Sequence, residues 1–174
     1  DMQHTVQAVE EARVVDLNGV RIQCLPWPNR ANLLGNSREQ SEQNISNALR
    51  DILRGLSLPR GETPRILLSH AMVRGSVTST GQPLVGCDCE IGLEDLALCE
   101  SDFYALGHIH AHQHWIADGS PVVYPGSPRR TAFGEVEPKG YVVVEFDGPN
   151  LVNWEFVETP CAPMLLVEGE WYPA

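Results

Sequence analysis

The sequence predicts an α/β (α+β) domain built in layers. Three observations support this fold class: an amphipathic segment at residues 37–56, apolar runs with the length of buried strands at 65–69 and 102–106, and a second half rich in short strands. With 174 residues, 43% of them hydrophobic, the chain is long enough for one domain with its own core. No run of about 18 apolar residues and no signal-peptide pattern occur, so we expect neither a membrane span nor secretion.

The first half predicts a hairpin followed by one helix. Residues 12–17 and 20–25 have strand composition, and Asn18-Gly19 between them is typical of a two-residue hairpin turn. A helix is expected over residues 37–56, because its apolar residues recur on one face. The residues of that stripe, which should face the core, are Ile45, Leu49, Ile52, Leu53 and Leu56.

The rest of the chain predicts short strands joined by turns. Buried strands are expected at residues 65–69 and 102–106, with a loop rich in Gly, Ser and Thr at 71–84. The further predicted elements are a short helix at 92–99 and strands at 85–91, 115–117, 122–124, 140–146, 151–157 and 164–167. We expect one domain over residues 1–158, followed by a proline-containing linker, 159–174, into a domain absent from this sequence.

The net charge of −11 is unevenly distributed. Residues 1–60 hold seven Arg and seven acidic residues, residues 61–130 hold four Arg and eight acidic residues, and residues 131–174 hold one Lys and eight acidic residues. A nucleic-acid-binding module that acts alone should be basic. Any binding of DNA by this chain therefore needs bound divalent cations, or a further domain or partner, to offset the charge.

Five cysteines, an odd number, are scattered along the sequence. Their number and spacing predict reduced thiols and a cytoplasmic protein rather than a disulfide framework. Cys87-Asp88-Cys89 would place two thiols on one face of a strand, which is one way to begin a zinc site. No second pair completes such a site, so ordinary thiols are the favoured interpretation.

Histidines follow two of the predicted buried strands. Gly107-His108-Ile109-His110 comes directly after one strand, and His70 ends another. Neutral imidazole is a common metal ligand, so we predict metal ligation by His70, His108 and His110. The alternative is a surface histidine cluster with incidental metal affinity, and this alternative is favoured for His112 and His114. Three histidines alone suit a mononuclear zinc site, whereas a two-metal hydrolase also needs carboxylates.

Several segments together resemble a known family. They are Ser69-His70, Ala105-Leu106-Gly107-His108-Ile109-His110, Tyr124-Pro125-Gly126-Ser127-Pro128, Phe133-Gly134-Glu135, and Lys139-Gly140 with the apolar strand that follows. In this order they resemble the calcineurin-like metallophosphoesterases and, more narrowly, the DNA-repair nucleases of the SbcD type. The resemblance extends over about residues 12–158.

The resemblance implies a four-layer αββα sandwich and two Mn²⁺ ions, or Mg²⁺ or another divalent metal in their place. His70 and His108 correspond to ligands of one ion and His110 to a ligand of the other. The DxH and GDxxD segments that give the family its carboxylate ligands are absent from the sequence. Asp1 corresponds to the acid that closes the GNH[DE] segment, so the chain resembles the C-terminal half of a nuclease core that ends where a DNA-capping domain would begin.

The function implied is that of a DNA-repair nuclease subunit that hydrolyses phosphodiester bonds. Its expected partners are DNA, an SbcC-like coiled-coil ATPase and, in the intact protein, a second copy in a homodimer. Asp1 would be catalytic, because it would orient the family's histidine that protonates the leaving 3′-oxygen. The alternatives are another calcineurin-like phosphoesterase, such as a phosphatase or a cyclic-nucleotide phosphodiesterase, and a non-catalytic module.

Candidate DNA contacts lie between residues 124 and 133. Arg129 and Arg130 can bind phosphate, although a solvated charge pair is an equally good interpretation. Ser127 of the Gly-Ser-Pro segment is the third candidate. Tyr124 or Phe133 can stack on a base, and burial within a strand is the alternative for Tyr124.

Overall fold

The computed structural model describes residues 9–28, 33, 42–79, 89–165 and 168–169. The elements in these ranges are β1 (Arg13–Leu17), β2 (Val20–Leu25), α1 (Glu42–Leu56), β3 (Arg65–His70), β4 (Met72–Val73), β5 (Glu90–Ile91), α2 (Leu93–Leu96), a 3₁₀ helix (Ala97–Cys99), β6 (Phe103–Gly107), β7 (Gln113–Ala117), β8 (Ser120–Tyr124), β9 (Gly140–Asp147) and β10 (Asn150–Glu158). Residues 37–41, 85–88 and 166–167, which fall in predicted elements, lie outside the described residues.

A six-stranded sheet with the order β1-β2-β3-β6-β8-β7 forms the centre of the molecule. The pairs β2–β3, β3–β6 and β6–β8 are parallel, and the edge pairs β1–β2 and β7–β8 are antiparallel. The predicted α/β class is confirmed, and the architecture is consistent with part of a metallophosphoesterase fold. Because parallel strands end at the same edge of a sheet, β3 and β6 deliver the residues that follow them to one place.

Helix α1 covers one face of this sheet. Leu49, Leu53 and Leu56 of the predicted stripe belong to the same buried cluster as Leu67 of β3 and Tyr104 of β6. Complete burial of one such leucine contributes roughly 1.5–3 kcal/mol. The apolar periodicity that predicts the helix is therefore also what attaches it to the sheet.

The polar side chain of Gln23 is fully buried beneath the end of this helix. Its amide donates hydrogen bonds to the carbonyl oxygens of Leu56 at 2.8 Å and Cys99 at 2.7 Å, and its own carbonyl accepts one from Ser101 at 2.6 Å. The last carbonyls of a helix have no partner within the helix, and a buried amide without partners would be costly. Gln23 thus provides partners for these carbonyls and has its own amide fully hydrogen-bonded. It also joins strand β2 to the C-terminal ends of α1 and the 3₁₀ helix.

A buried ion pair fixes the register of the two strands that bear the histidines. Arg65 at the start of β3 contacts Asp102 through its guanidinium at 2.9 and 3.2 Å and through its backbone nitrogen at 2.9 Å. The backbone nitrogen of Asp102 in turn donates to the carbonyl of Arg65 at 2.8 Å. With the first residues of β3 and β6 held together, His70 and Gly107 are paired at the other end.

The described residues cover the second face of the sheet only in part. The hairpin of β9 and β10 packs near β7, where the ring of His112 stacks on Phe156 at 4.2 Å and that of His114 meets Trp154 edge-on at 5.0 Å. Over β1 and β3 the same face leaves Leu17 and Leu68 each 53% exposed. His112 is half-buried, because its ring packs on the hairpin, whereas His114 is exposed as expected.

Two further predictions concern the thiols and the membrane. Cys99 is fully buried, and burial raises the pKa of its thiol to about 11, so it stays protonated and unreactive at neutral pH.

Among the residues that the structure describes, no helix is long and apolar enough to cross a bilayer.

Candidate metal centre

Two imidazole rings lie side by side at the C-terminal edge of the sheet. His70 ends β3 and is paired with Gly107 of β6, so His108 follows directly beside it. The ring centroids of His70 and His108 are 5.1 Å apart, with the ring planes at 70°. A Cβ atom on Gly107 would lie 3.1 Å from Nδ1 of His70, so the glycine leaves room for this ring.

The backbone of His108 is strained. Its φ angle is 103°, a left-handed conformation that residues with a side chain rarely adopt. Such a conformation costs about 1–3 kcal/mol and persists only where surrounding contacts impose it, commonly at functional sites. The strain falls on the residue that the sequence predicts as a metal ligand.

Trp27 completes a three-ring cluster with these histidines. Its indole stacks on His70 at 5.0 Å and meets His108 edge-on at 5.1 Å. Sequence reasoning missed this residue, although it follows β2, whose C-terminal end shares the sheet edge with β3. Cys89 lines the same small cavity as the three rings. His70 and Trp27 are both exposed, so the cluster lies at the protein surface.

His110 is held differently, through its Nδ1 atom. This nitrogen lies 3.2 Å from Oε1 of Glu135 and 3.1 Å from the hydroxyl of Thr131. The Glu135 side chain has no solvent exposure, whereas the His110 side chain is 34% exposed. The ring is thus anchored on the protein side and accessible on the other.

A buried lysine links the two glutamates near His110. Nζ of Lys139 lies 2.9 Å from Oε2 of Glu135 and 2.8 Å from Oε1 of Glu137, and it donates to the carbonyl oxygen of His110 at 3.1 Å. Burial by itself raises the pKa of Glu135, but hydrogen bonds from Lys139, Thr131 and His110 outweigh that effect and lower it to about 2. Glu135 is therefore ionised at every pH at which the protein would work.

The Gly-Ser-Pro segment supports the same histidine from the other side. The backbone nitrogen of Ser127 donates to the carbonyl oxygen of His110 at 3.1 Å. A Cβ atom on Gly126, whose φ is +81°, would lie 2.7 Å from the His110 carbonyl oxygen and 2.9 Å from the His112 nitrogen. Three segments of the sequence resemblance, containing Gly126, Glu135 and Lys139, therefore converge on His110.

We expect Gly126→Ala to destabilise the protein by about 2–4 kcal/mol, because a positive φ and a backbone clash act together. The matched control is Gly119→Ala, since Gly119 has φ +84° but nothing within 4 Å of its Cβ position. That control should cost only about 1 kcal/mol. Urea unfolding measures both variants, and equal losses would show that the contact with His110 is unimportant.

Acid should remove the stabilisation that Glu135 provides. Its folded pKa is lowered from 4.5 to about 2, so its contribution is present above pH 4.5 and is lost as the pH falls towards 2. Glu135→Gln should therefore be clearly less stable than the wild type at pH 7, and the difference should narrow steadily between pH 4.5 and 2. Thermal unfolding between pH 4.5 and 2 measures the stability difference between the two proteins. A stability difference that did not change with pH would show that ionised Glu135 does not stabilise the fold.

Comparison with known proteins supports a metallophosphoesterase relationship. No family model matches the chain. Over 65 residues, 33% of this chain and 14% of the relative, it is 43% identical to the DNA double-strand break repair protein Mre11 of Methanopyrus kandleri. Over 68 residues, 39% of this chain and 16% of the relative, it is 34% identical to the uncharacterized metallophosphoesterase YhaO of Bacillus subtilis. The chain thus matches only about one seventh of the length of these relatives, and the matches do not single out the SbcD type.

The residues present fit one part of a metal centre. Imidazole nitrogens are suitable ligands for divalent transition metals, and His70 and His108 are adjacent. His110 has the carboxylate partner on its second nitrogen that metal-binding histidines usually have. Within the described ranges, however, no three His, Cys, Asp or Glu side chains converge on one point. A complete coordination sphere for a metal ion would need further ligands, and Asp1 lies outside the described residues.

Two of the candidate DNA contacts are buried. Tyr124 has no exposed surface, and its hydroxyl donates to the carbonyl of Ala71 and accepts from the nitrogen of Val73 at 2.9 Å. The structure thus places Tyr124 in the core, where no base can stack on it. Ser127 is 8% exposed, and its contact is the backbone hydrogen bond to His110.

The two arginines of this segment differ. Arg130 donates to the backbone carbonyls of Glu135 at 2.8 Å, Ala162 at 3.2 Å and Cys161 at 3.4 Å. Its guanidinium therefore closes the loop around Glu135 and ties down the start of the predicted linker. Arg129 is exposed and remains suited to contact phosphate, and Phe133, 75% exposed, remains suited to stack on a base.

Proposed function

We propose that this chain is part of a metal-dependent phosphodiesterase that acts on DNA, of the SbcD repair-nuclease type. The observation that supports the proposal most strongly is the delivery of His70 and His108, ring beside ring, by the ends of two neighbouring parallel strands. The carboxylate-held ring of His110, two residues further, provides a third nitrogen. The strained backbone of His108 also supports the proposal, because such strain is common at functional sites.

In this proposal His70 and His108 would contribute nitrogens to one Mn²⁺ ion, and His110 would contribute one to a second. The pair of ions would polarise the scissile phosphate and activate water. The Trp27 ring packs against both rings of the histidine pair. Glu135 and Lys139 hold the His110 ring and backbone in place, so this ligand needs little rearrangement when the ion binds.

The missing carboxylate ligands would come from polypeptide that carries the DxH, GDxxD and GNH[DE] segments, with Asp1 as the last residue of the third. The uncovered apolar face at Leu17 and Leu68 offers a surface on which such a segment can pack. Arg129 would contact the DNA backbone, and the metal ions would offset part of the net charge of −11. An SbcC-like ATPase, a second copy of the intact protein and a cytoplasmic location complete the proposal.

Substrate choice tests this function. The chain is assayed with Mn²⁺ on labelled duplex DNA and on p-nitrophenyl phosphate, both alone and together with a polypeptide bearing the three missing segments. We expect Mn²⁺-dependent release of nucleotides from DNA in the complemented form, lost by more than about 100-fold in His108→Ala and unchanged in His114→Ala. Undiminished activity in His108→Ala, or hydrolysis of the monoester alone, would contradict the proposal, and the second result would favour a phosphatase.

A non-catalytic module is the second candidate function. It is favoured by the finding that the described His, Cys, Asp and Glu side chains form no group of three that could hold a metal ion. Complete inactivity of the complemented form on both substrates would establish this alternative.

A further inference from the structure

We infer that Glu135 is a positioning residue that fixes the tautomer of His110, so that Nδ1 carries the proton and Nε2 presents its lone pair. Lys139 holds Glu135 in the required orientation. The inference rests on the proposed metal site for its purpose, but the tautomer itself is a property of the metal-free protein.

The tautomer follows from the partners of Nδ1. Oε1 of Glu135 lies 3.2 Å from this nitrogen, and an ionised carboxylate can only accept hydrogen bonds. The hydroxyl of Thr131, 3.1 Å from Nδ1, directs its own hydrogen to Oε1 of Glu135 at 2.9 Å, so it also presents a lone pair to the ring. Of the two tautomers, the one with a proton on Nδ1 is therefore the one that makes a hydrogen bond to the Glu135 carboxylate. In neutral imidazole this leaves the lone pair on Nε2.

The carboxylate of Glu135 is locked in this role. Oε2 accepts hydrogen bonds from the backbone nitrogen of Thr131 at 2.9 Å and from Nζ of Lys139 at 2.9 Å. The side chains of Glu135 and Lys139 are both completely buried. With both oxygens engaged, Glu135 cannot turn outwards to become a metal ligand itself. It acts on the site only through the His110 ring.

Lys139 connects the ring of His110 to its backbone. The ammonium group binds Glu135, which holds the ring, and also the carbonyl oxygen of His110 at 3.1 Å. Glu137, which binds the same ammonium at 2.8 Å, accepts a hydrogen bond from Ser79 at 2.5 Å. The Lys139 ammonium thus orients both the ring and the backbone of His110. Its own position is fixed by Glu137, which Ser79 holds through a hydrogen bond.

Direct observation of the ring nitrogens of metal-free protein tests the inference. Long-range ¹H–¹⁵N correlation spectra at pH 8 distinguish the two neutral tautomers and the protonated form of each histidine. We expect His110 to be predominantly protonated on Nδ1 in the wild type. Predominant protonation on Nε2 in the wild type would overturn the inference without any variant, and without reference to activity.

Two variants separate positioning from a general structural role. Glu135→Leu combined with Lys139→Met removes both buried charges together, which limits the loss of stability. It should shift His110 towards the Nε2-protonated form and weaken Co²⁺ binding roughly 10–100-fold. Glu135→Gln should place its one amide oxygen towards Lys139 and the Thr131 nitrogen, so its NH2 group faces Nδ1 and should also shift His110 towards the Nε2-protonated form, while the exposed His114 serves as internal control. An unchanged His110 tautomer in the folded double variant would overturn the inference.

Discussion

Replacing Lys139 by methionine should lower the free energy of unfolding by about 3–5 kcal/mol. The substitution leaves Glu135 and Glu137 side by side with no countercharge, and Glu135 has no access to solvent. Removal of one member of a buried charge pair is costly because the remaining charge is left uncompensated. For a chain of this length, the melting temperature should fall by about 10 °C.

An exposed ion pair gives the control for this prediction. Arg54 contacts Asp51 at 3.1 Å, with the two side chains 58% and 76% exposed. Arg54→Met should cost less than about 1 kcal/mol, because exposed pairs contribute little. Chemical denaturation compares the two variants. If Lys139→Met lowered the free energy of unfolding no more than Arg54→Met does, the hydrogen bonds and ion pairs around Glu135 would be unimportant for stability.

Removing the histidine pair should have the largest functional effect. We expect His70→Ala and His108→Ala each to weaken Co²⁺ binding by more than about 100-fold, since losing a residue that binds the metal costs more than losing a residue that only orients a ligand, which costs about 10–100-fold. Isothermal titration measures the affinity, and the visible spectrum of bound Co²⁺ reports the loss of nitrogen ligands. His114→Ala is the matched control, because His114 is exposed and lies beyond the turn. Equal weakening by all three substitutions would indicate a diffuse surface cluster.

The elements with strong local patterns are predictable from the sequence. Asn18 and Gly19 form the expected hairpin turn, with φ angles of 49° and 80°, because few residues tolerate these conformations. Helix α1 has its predicted apolar stripe in the core. The histidine pair is also predictable, since the ends of apolar strands in a parallel sheet meet at one edge.

The contacts that organise the site are not predictable from local pattern. Glu135 meets His110 across 25 residues, and Trp27 meets His70 and His108 only because β2 lies beside β3 in the sheet. Glu135 and Lys139 belong to the segments that carry the family resemblance, but the resemblance does not give their role. Their spacing of four residues does not predict an ion pair, because the two side chains meet only when the loop between them is folded. Tyr124 illustrates the opposite case, since burial and base stacking both suit a tyrosine, and only the fold places its hydroxyl against Ala71 and Val73.

Titration of ¹⁵N-labelled protein with substoichiometric Mn²⁺ tests most directly whether the edge of the sheet is a metal site. A bound paramagnetic ion broadens the resonances of nearby imidazoles and leaves distant ones sharp. We predict that broadening is strongest for the ring signals of His70, His108 and His110 and weaker for those of His112, packed on Phe156, and of exposed His114. Broadening that is centred on His112 and His114, or that affects all histidines equally, would contradict the proposed metal centre.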